Sequence, residues 1–422
     1  MNILYIAYSC SPNHGSEDRI GWKIPLASAA NHRVFVLTKE EHRSEIEEYR
    51  KNHPFCQVQF YYVDIPAAYK KIFRGFSYSG RLNIWHKRAL VAAEEICQRE
   101  GIDMIHQITP VEFRSIGDYG RIPNVKFVCG PIGGGEYIPS GLRYYARLHA
   151  LEEIFRTGIN RFSLLKLRCS GVLSRCDAVL FANKETKQYL SSAMCSSKFC
   201  KCMTEIGIDS EEIAQDGGKN VADTTRNFLV AGRLIYRKGH AFLLDALKEL
   251  PAEYHYTCTI LGNGPELNRL RKACKANGLE CRVRFKDKVP FQEMDKIYAD
   301  AHVLIMPSIR ETTGSVLLEA MSRGIPVVTI DSFGGAMLLN DGASWLYYGR
   351  TQGDFVKCLR NTLMECITEA KKVEDKGQAA LQLCAKYTWD QKALCYQHIY
   401  EALISQAEDG NGKTGIGCRA DL

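Results

Sequence analysis

The sequence has no long apolar run, no Cys-x-x-Cys pair and no strong excess of one charge. None of its segments approaches the roughly 20 apolar residues that a membrane-spanning helix needs. The start, Met1–Cys10, lacks a basic leader, and Pro12 soon interrupts its short apolar run, unlike a signal peptide. We therefore expect a cytoplasmic protein.

Cysteines are numerous but not arranged for a disulfide framework or a zinc site. The 17 cysteines are odd in number and scattered, and Cys129 and Cys258 lie in apolar patterns. Such thiols are typical of the core of a protein in a reducing compartment. The one cluster, Cys195, Cys200 and Cys202, lacks the ligand spacing of zinc sites, so we expect no metal there.

The net charge of +7 is too small for the basic proteins that coat nucleic acids. It fits an anionic ligand or an anionic membrane surface. With 45% hydrophobic and 24% charged residues, the composition is that of a globular protein. A chain of this length favours two domains.

Apolar strand-like runs alternate with helical patterns, which is typical of parallel α/β folds. The first series of predicted strands is Met1–Ala7, Arg33–Thr38, Val58–Val63, Met104–His106, Lys126–Val128 and Ala178–Ala182. The second series is Asn227–Ala231, Tyr256–Leu261, Val283–Lys286, Val303–Met306, Pro326–Ile330 and Ser344–Tyr347. The most polar break between them, Asp209–Arg226, predicts an exposed linker.

The strongest chemical signal is the segment Arg310–Val328, which follows a predicted strand. Glu311 falls in the loop at the carboxyl end of that strand, where open α/β sheets bind ligands. Gly314 and Ser315 open the next helix, so free backbone N–H groups favour a phosphate there. Glu319 is predicted in the second turn of this helix, so two carboxylates flank an anion site and offer acceptors to sugar hydroxyls.

This segment resembles the E-x7-E region of the retaining glycosyltransferases of family 4, which have the GT-B fold. The resemblance extends over most of the second half, and three first-half segments resemble the family more loosely. The second-half segments are Phe228–His240, Leu261–Pro265 and Ala299–Ser308. Those in the first half are Ser11–Glu17, Gly130–Gly135 and Glu205–Asp209.

The resemblance implies an α/β GT-B architecture, in which two Rossmann-like domains face each other across a cleft and a C-terminal helix returns towards the N-terminal domain. The expected parts are an acceptor domain over 1–208, a linker over 209–226, a nucleotide-sugar domain over 227–385, a helix over 386–408 and a disordered tail over 409–422.

Carried over by position, the resemblance implies that Arg233 and Lys238 hold the donor diphosphate, whose charge rises as the glycosidic bond breaks. Glu311 contacts the transferred sugar near its reacting face, and Glu319 binds the nucleotide ribose. Main-chain contacts to sugar, phosphate and nucleobase are implied for Gly314, Ser315, Val316 and Val289.

In the first half, the resemblance points to Gly15 and His106. Gly15 resembles the glycine loop that approaches donor phosphates and acceptor, although many members have two glycines there. His106 is predicted at a strand end, where a family histidine contacts the transferred sugar as a catalytic residue. The alternative is a core histidine with both ring nitrogens satisfied. Glu112 and Arg114 are further candidates for the acceptor.

We expect neither a metal nor a cofactor. The sequence has no Asp-x-Asp motif, which the other major glycosyltransferase architecture uses to hold a divalent ion. Arg233, Lys238 and a helix start supply positive charge instead.

Two basic stretches, Ala67–Ala93 and Ile154–Cys176, contain no acidic residue. In the first, Tyr69, Phe73, Phe76, Tyr78 and Trp85 are interleaved with the cations. Two interpretations stay open: peripheral contact with an anionic bilayer, at the inner face of the plasma membrane, or solvated helices with buried aromatics. Neither stretch resembles a base-reading module, so nucleic acid is not an expected partner.

The sequence thus predicts transfer of a sugar from a nucleoside-diphosphate sugar to a glycan or lipid-linked acceptor in cell-surface polysaccharide synthesis, and the family resemblance implies that the transfer proceeds with retention. A front-face and a double-displacement route are both compatible with these residues. The alternatives are a GT-B-like nucleotide-sugar epimerase or phosphorylase, and a nucleotide-sugar-binding protein that has lost catalysis.

Overall fold

A computed structural model of the chain describes residues 1–54, 57–66, 78–194, 199–215, 225–289 and 293–408. Contacts divide it into two units. The first contains 1–135, 158–207 and the chain from 389 onwards, and the second contains 136–157 and 208–388. The sequence pattern assigned 136–157 to the first domain, but its contacts group it with the second unit.

The first unit is built on seven parallel strands in the order β3-β2-β1-β4-β5-β6-β7. The order reverses between β1 and β4, so the unit has the switch point of a doubly wound fold. The strands are β1 Asn2–Ala7, β2 Arg33–Lys39, β3 Gln59–Val63, β4 Met104–Thr109, β5 Lys126–Ile132, β6 Ala178–Phe181 and β7 Phe199–Cys202.

Apolar side chains cover both faces of this sheet, as a parallel sheet requires. Along β1, Leu4 and Ile6 join one buried cluster, whereas Ile3 and Tyr5 join the cluster on the opposite face. The helices of the unit are α1 Glu17–Ser28, α2 Arg43–Asn52, α3 Tyr78–Glu100, α4 Ala150–Ser170 (its first eight residues in the second unit), α5 Val172–Arg175, α6 Lys184–Leu190 and α14 Trp389–Glu408.

The second unit has six parallel strands in the order β10-β9-β8-β11-β12-β13. Its switch point lies between β8 and β11, which are neighbours in the sheet. The strands are β8 Arg226–Ala231, β9 Tyr256–Leu261, β10 Val283–Lys286, β11 Val303–Met306, β12 Val327–Ile330 and β13 Ser344–Tyr347. The helices are α7 His240–Lys248, α8 Leu267–Ala276, α9 Met294–Asp300, α10 Val316–Met321, α11 Phe333–Leu338, α12 Gln352–Thr368 and α13 Ala370–Cys384.

Most predicted strands of both series are present, with differences at their ends. β4 continues three residues beyond His106, to Thr109, and β7 had not been predicted. Arg226, placed in the exposed linker, is buried at the start of β8. Its Nε donates to the carbonyl of Cys366 at 2.8 Å, near the end of α12. Linker residues 216–224 and the tail 409–422 lie outside the described residues.

The C-terminal helix α14 belongs to the first unit, as predicted, and a chain of buried hydrogen bonds ties it there. The oxygen of Gly130 can only accept, so His106 donates to it from Nε2 at 2.6 Å. Its Nδ1 therefore accepts from the Tyr400 hydroxyl at 2.5 Å. The Tyr400 oxygen lies 3.2 Å from the hydroxyl of Tyr5, which lies 2.7 Å from Ser28 Oγ.

Replacing Tyr400 by Phe should lower the free energy of unfolding by about 1–3 kcal/mol, because it leaves the buried Nδ1 of His106 without a donor. Tyr396→Phe is a matched control, since Tyr396 is equally buried on α14 and its hydroxyl has no partner among the described residues. We expect the control to leave the free energy of unfolding unchanged. Chemical denaturation of both variants measures the difference, and equal losses would contradict the hydrogen-bond chain.

Candidate functional site

The loops that follow β8 and β11 lie against each other at the switch point of the second sheet. Gly239 ends the β8 loop with φ +71°, a conformation that favours glycine. A Cβ at Gly239 would stand 1.9 Å from the carbonyl oxygen of Pro307, immediately after β11. Only glycine permits this approach, which sets the residues before it beside those of the β11 loop.

Two cations of the β8 loop meet one carboxylate of the β11 loop. Lys238 Nζ forms a short ion pair with Glu311 Oε2. Arg237 Nη1 lies 3.5 Å from the other oxygen, Oε1. The backbone carbonyl of Arg237 also accepts from the amides of Ile309 and Arg310. Side chains and main chain therefore hold the two loops together.

Glu311 is ionised at neutral pH in this arrangement. Burial raises the pKa of its carboxyl, but the charges of Lys238 and Arg237 and hydrogen bonds from Lys238 and the Thr312 amide outweigh that effect. The net pKa lies below the usual range of a glutamate, so the group accepts hydrogen bonds and holds no proton to donate.

Gly314 and Glu319 follow in the same segment. Gly314 has φ +100° and packs beside the sulfur of Met306 and Cγ of Glu311. Because α10 begins at Val316, Glu319 lies in its first turn, not the second as predicted. Its Oε2 accepts from the hydroxyl of Tyr298 at 2.9 Å, a contact that the sequence did not suggest.

The other predicted donor-site residues lie on loops of the same unit, but the structure does not bring all of them into contact. Arg233 is exposed in the β8 loop, and within the described ranges its guanidinium has no hydrogen-bond or ion-pair partner. Ser315 is exposed and Val316 half-buried where α10 begins. Val289 is half-buried in the loop after β10, and Pro290 lies outside the described residues.

A second ion pair supports the β11 loop from α4. Arg310, next to Glu311, is buried and donates both to Glu153 Oε2 at 2.6 Å and to its Oε1. The Tyr236 hydroxyl donates to Oε1 of the same carboxylate at 2.5 Å. Tyr236 also stacks on His149, with ring centroids 4.1 Å apart. Glu153 thus contacts the residue before Arg237 and the residue before Glu311.

Residues at the switch point of the first unit stand after β1 and β4. Gly15 is exposed in the loop after β1, with no atom near the place of a Cβ. Glu17 follows it, and its Oε1 accepts from the Val111 amide after β4. Burial raises the pKa of Glu17 to about 7.

The two acceptor candidates after β4 form an ion pair with each other. Arg114 Nη1 lies 3.4 Å from Glu112 Oε2, and Arg114 Nε donates to Asn160.

The prediction that His106 contacts a sugar is not supported by its surroundings. It lies in the middle of β4 and is fully buried, with both ring nitrogens engaged by Gly130 and Tyr400. Burial lowers its pKa to about 3, so the ring is neutral. These contacts fit the alternative of a satisfied core histidine.

Within the described ranges, no group of three or more His, Cys, Asp or Glu side chains is placed to hold a metal ion. Cys195 lies outside those ranges, and Cys200 and Cys202 are half-buried on β7. No described helix combines the length and the apolar character needed to cross a bilayer.

Comparison with known proteins assigns a family model to the segment that contains this site. Residues 211–377 match the glycosyl transferases group 1. The matched segment includes Arg237, Lys238, Glu311 and Glu319 but not Glu153.

Curated relatives are similar to part of this chain. An uncharacterized glycosyltransferase of Methanocaldococcus jannaschii is 35% identical over 117 residues, which cover 28% of this chain and 30% of the relative. The GDP-mannose-dependent alpha-(1-6)-phosphatidylinositol monomannoside mannosyltransferase of Mycolicibacterium smegmatis is 29% identical over 195 residues, 43% of this chain and 51% of the relative. The chain therefore spans about a third to a half of the length of these relatives.

Among solved structures, HepE of Anabaena in complex with UDP and glucose superposes with a TM-score of 0.61 over 96% of this chain and 100% of that chain, at 19% identity. This likeness, with the two doubly wound sheets, shows that the fold is GT-B. The fold and the group 1 domain support an enzyme of the glycosyltransferase class.

Two residues of the contact network around the β8 and β11 loops were missed by sequence reasoning. Arg237 stands one residue before the Lys-Gly pair and was visible as a basic neighbour. Glu153 gave no signal, because it reaches Arg310 from 157 positions away in sequence. Because the sequence assigned residue 153 to the first domain, it gave no reason to expect Glu153 at the β11 loop.

Replacing Glu153 by Gln should lower the free energy of unfolding by about 1–3 kcal/mol, because buried Arg310 loses its ionic partner. Glu152→Gln is the matched control, since the neighbouring carboxylate is mostly exposed and pairs with His149. We expect the control to change stability by about 0–1 kcal/mol. Thermal unfolding of both variants is the measurement; equal stability of E153Q and wild type would contradict a supporting role.

Proposed function

We propose that the chain is a retaining glycosyltransferase of family 4 that transfers a sugar from a nucleoside-diphosphate sugar to a hydroxyl of a glycan or lipid-linked acceptor. The observation that carries this proposal is the contact of Lys238 and Arg237 with Glu311. It sets two fixed cations and an ionised carboxylate together at the carboxyl ends of β8 and β11, the ligand-binding edge of such sheets.

The cations suit the donor diphosphate. Lys238 is already directed into the site by its ion pair, and Arg233 is exposed nearby in sequence on the same loop. Positive charge held at the leaving diphosphate stabilises the negative charge that grows as the glycosidic bond breaks. In this proposal Arg233, Lys238 and Arg237 do the work that a divalent ion does elsewhere, so transfer proceeds without a metal.

Glu311 suits the sugar. Its lowered pKa keeps it a carboxylate that accepts hydrogen bonds from sugar hydroxyls, and it excludes a role as general acid at neutral pH. The same lowered pKa makes Glu311 a weak base for the acceptor proton. In the front-face route that we favour, the leaving phosphate takes that proton.

The remaining donor contacts follow from position in the loops. Glu319 accepts from Tyr298 through one oxygen, and we assign its carboxylate to the ribose hydroxyls. We assign main-chain groups of Gly314, Ser315 and Val316 to the sugar and phosphate, and Val289 to the nucleobase. Gly15, beyond β1 of the first unit, is assigned to the approach of the acceptor.

The acceptor class rests on the relatives. One is by name a phosphatidylinositol monomannoside mannosyltransferase, and another a lipopolysaccharide core biosynthesis glycosyltransferase of Rhizobium meliloti. Both names refer to glycolipids. We propose a lipid-linked or glycan acceptor in cell-surface synthesis, reached from the cytoplasm.

A thermal-shift screen against UDP-, GDP- and ADP-sugars tests the donor class, because a ligand that binds the folded state stabilises it, and stabilises it more at a given concentration when it binds more tightly. Product analysis with the stabilising donor then separates the alternatives. A free sugar product without acceptor indicates an epimerase, and donor binding without turnover indicates a binding protein. A new glycosidic bond of the donor's anomeric configuration supports retaining transfer; inversion would overturn it.

Lys238→Ala and Arg233→Ala should each reduce kcat/KM for the identified donor about ten- to a hundredfold, as expected for the loss of one charged hydrogen-bond partner. Lys248→Ala is the control, because Lys248 is an exposed cation at the far end of α7. Steady-state kinetics provide the comparison. Unaltered turnover in both site variants would remove the diphosphate assignment.

Glu319→Ala should weaken donor binding about tenfold or more with a smaller effect on kcat, because a ribose contact serves ground state and transition state alike. Glu280→Ala, which removes an exposed carboxylate of the same unit, should change neither constant. Titration calorimetry with the nucleoside diphosphate measures affinity directly. An unchanged dissociation constant for E319A would contradict the ribose role.

A further inference from the structure

The outward side of α4 is lined by large apolar side chains. Leu151, Phe155 and Phe162 are 82%, 71% and 70% exposed. Ile154 and Leu165 are exposed beside them. We refer to these five residues as the outer stripe. Single exposed apolar residues are common on protein surfaces, but a contiguous row of them marks an interaction site.

The outer stripe follows the geometry of one helix face. At about 100° per residue, positions 151, 154, 155, 162 and 165 all fall within about 60° of one line along the helix. Gly158 lies on the same line. The opposite side buries Asn160, Ser163 and Leu167. Helix α4 therefore packs on the protein through one side and leaves a row of large apolar side chains exposed on the other.

Cations border the outer stripe. Arg161 and Arg168 are exposed along one flank and Lys166 along the other. Residues 154–170 include no aspartate or glutamate. One turn before the helix, the exposed guanidinium of Arg147 lies 4.0 Å from the ring centroid of Tyr144, which is also exposed. The border is therefore positive throughout its length from 154 onwards.

Part of the basic stretch Ala67–Ala93 lies beside the flank of α4 that contains Lys166. Lys166 Nζ donates to Asn83 Oδ1 of α3 at 3.1 Å. Burial and the nearby charge of Lys87 lower the pKa of Lys166, which places Lys87 close to it. Trp85, by contrast, is fully buried, so it packs in the core instead of facing a bilayer. Tyr69, Phe73 and Phe76 lie outside the described residues.

We propose that the outer stripe docks the protein onto an anionic lipid bilayer. Its apolar side chains enter the boundary between head groups and acyl chains, and the bordering arginine and lysine groups bind lipid phosphates. This inference goes beyond the proposed function, since bilayer binding does not depend on sugar transfer.

Charge complementarity favours lipid over another protein surface. A second copy of the chain would bring an equally positive border against this one, and like charges oppose association. Phosphate head groups supply negative charge over the whole length of the helix. The chain contains no membrane-crossing helix within its described residues, so any attachment through α4 is peripheral and reversible.

Flotation of the full chain with vesicles tests the proposal. Wild type should bind vesicles of phosphatidylglycerol mixed with phosphatidylcholine, and more weakly those of phosphatidylcholine alone. Phe155→Ser with Phe162→Ser should lower the partition coefficient at least about tenfold, because two large apolar side chains lose their burial. Val91→Ser with Tyr348→Ser, two exposed apolar residues elsewhere, should bind as wild type.

A second variant tests the contribution of the bordering cations. Arg161→Gln with Arg168→Gln should reduce binding to the anionic vesicles about tenfold and leave binding to phosphatidylcholine unchanged. Added salt should weaken wild-type binding to the anionic vesicles but change this variant less.

Thermal unfolding checks that the F155S/F162S protein is folded, and Leu151→Ser with Leu165→Ser provides a second pair if it is not. Vesicle binding by the folded stripe variants equal to that of wild type would overturn the proposal, as would absence of wild-type binding. Light scattering tests whether the outer stripe binds a second copy of the chain instead. If the wild type binds no vesicles and is a dimer, and F155S/F162S is a monomer, the outer stripe is a dimer interface.

Discussion

The partly buried contact between Lys238 and Glu311 is the constraint on which the site depends. Opposite charges withdrawn from water are tolerated only when they meet, and here they come from loops that follow two neighbouring strands. The contact requires the β8 loop to approach Pro307, which in turn requires glycine at 239. The ion pair at this edge of the second sheet therefore depends both on the glycine backbone at 239 and on the sheet order that makes β8 and β11 neighbours.

Local pattern was sufficient to predict most of the second unit. Its strands are short apolar runs, and the parallel topology brings the ends of β8 and β11 together, so Lys238 and Glu311 could be assigned from sequence. Glu153 could not, because it joins the site from a distant helix whose unit is decided by tertiary contacts. Glu319 falls in the first turn of its helix instead of the second, because the helix begins one residue later than predicted, after Ser315.

The first unit shows where an apparent functional residue is structural. A histidine near a short apolar run looks like a ligand at a strand end, but β4 continues for three more residues and buries it. Its partner on α14 lies 294 positions away, which no local pattern reveals. The hydroxyl and imidazole groups that attach the last helix to the first sheet are thus part of the core.

Helix α4 makes different contacts on its two opposite sides. The carboxylate of Glu153 points to the β11 loop, and the outer stripe points away from the protein. Each added or deleted residue turns the rest of an α-helix by about 100°. An insertion between 153 and 162 would therefore carry Phe162 and Leu165 out of phase with the turn that holds Glu153. Sequence drift on the outer side is tolerable as long as it stays apolar, whereas the number of residues between the two features is not free to change.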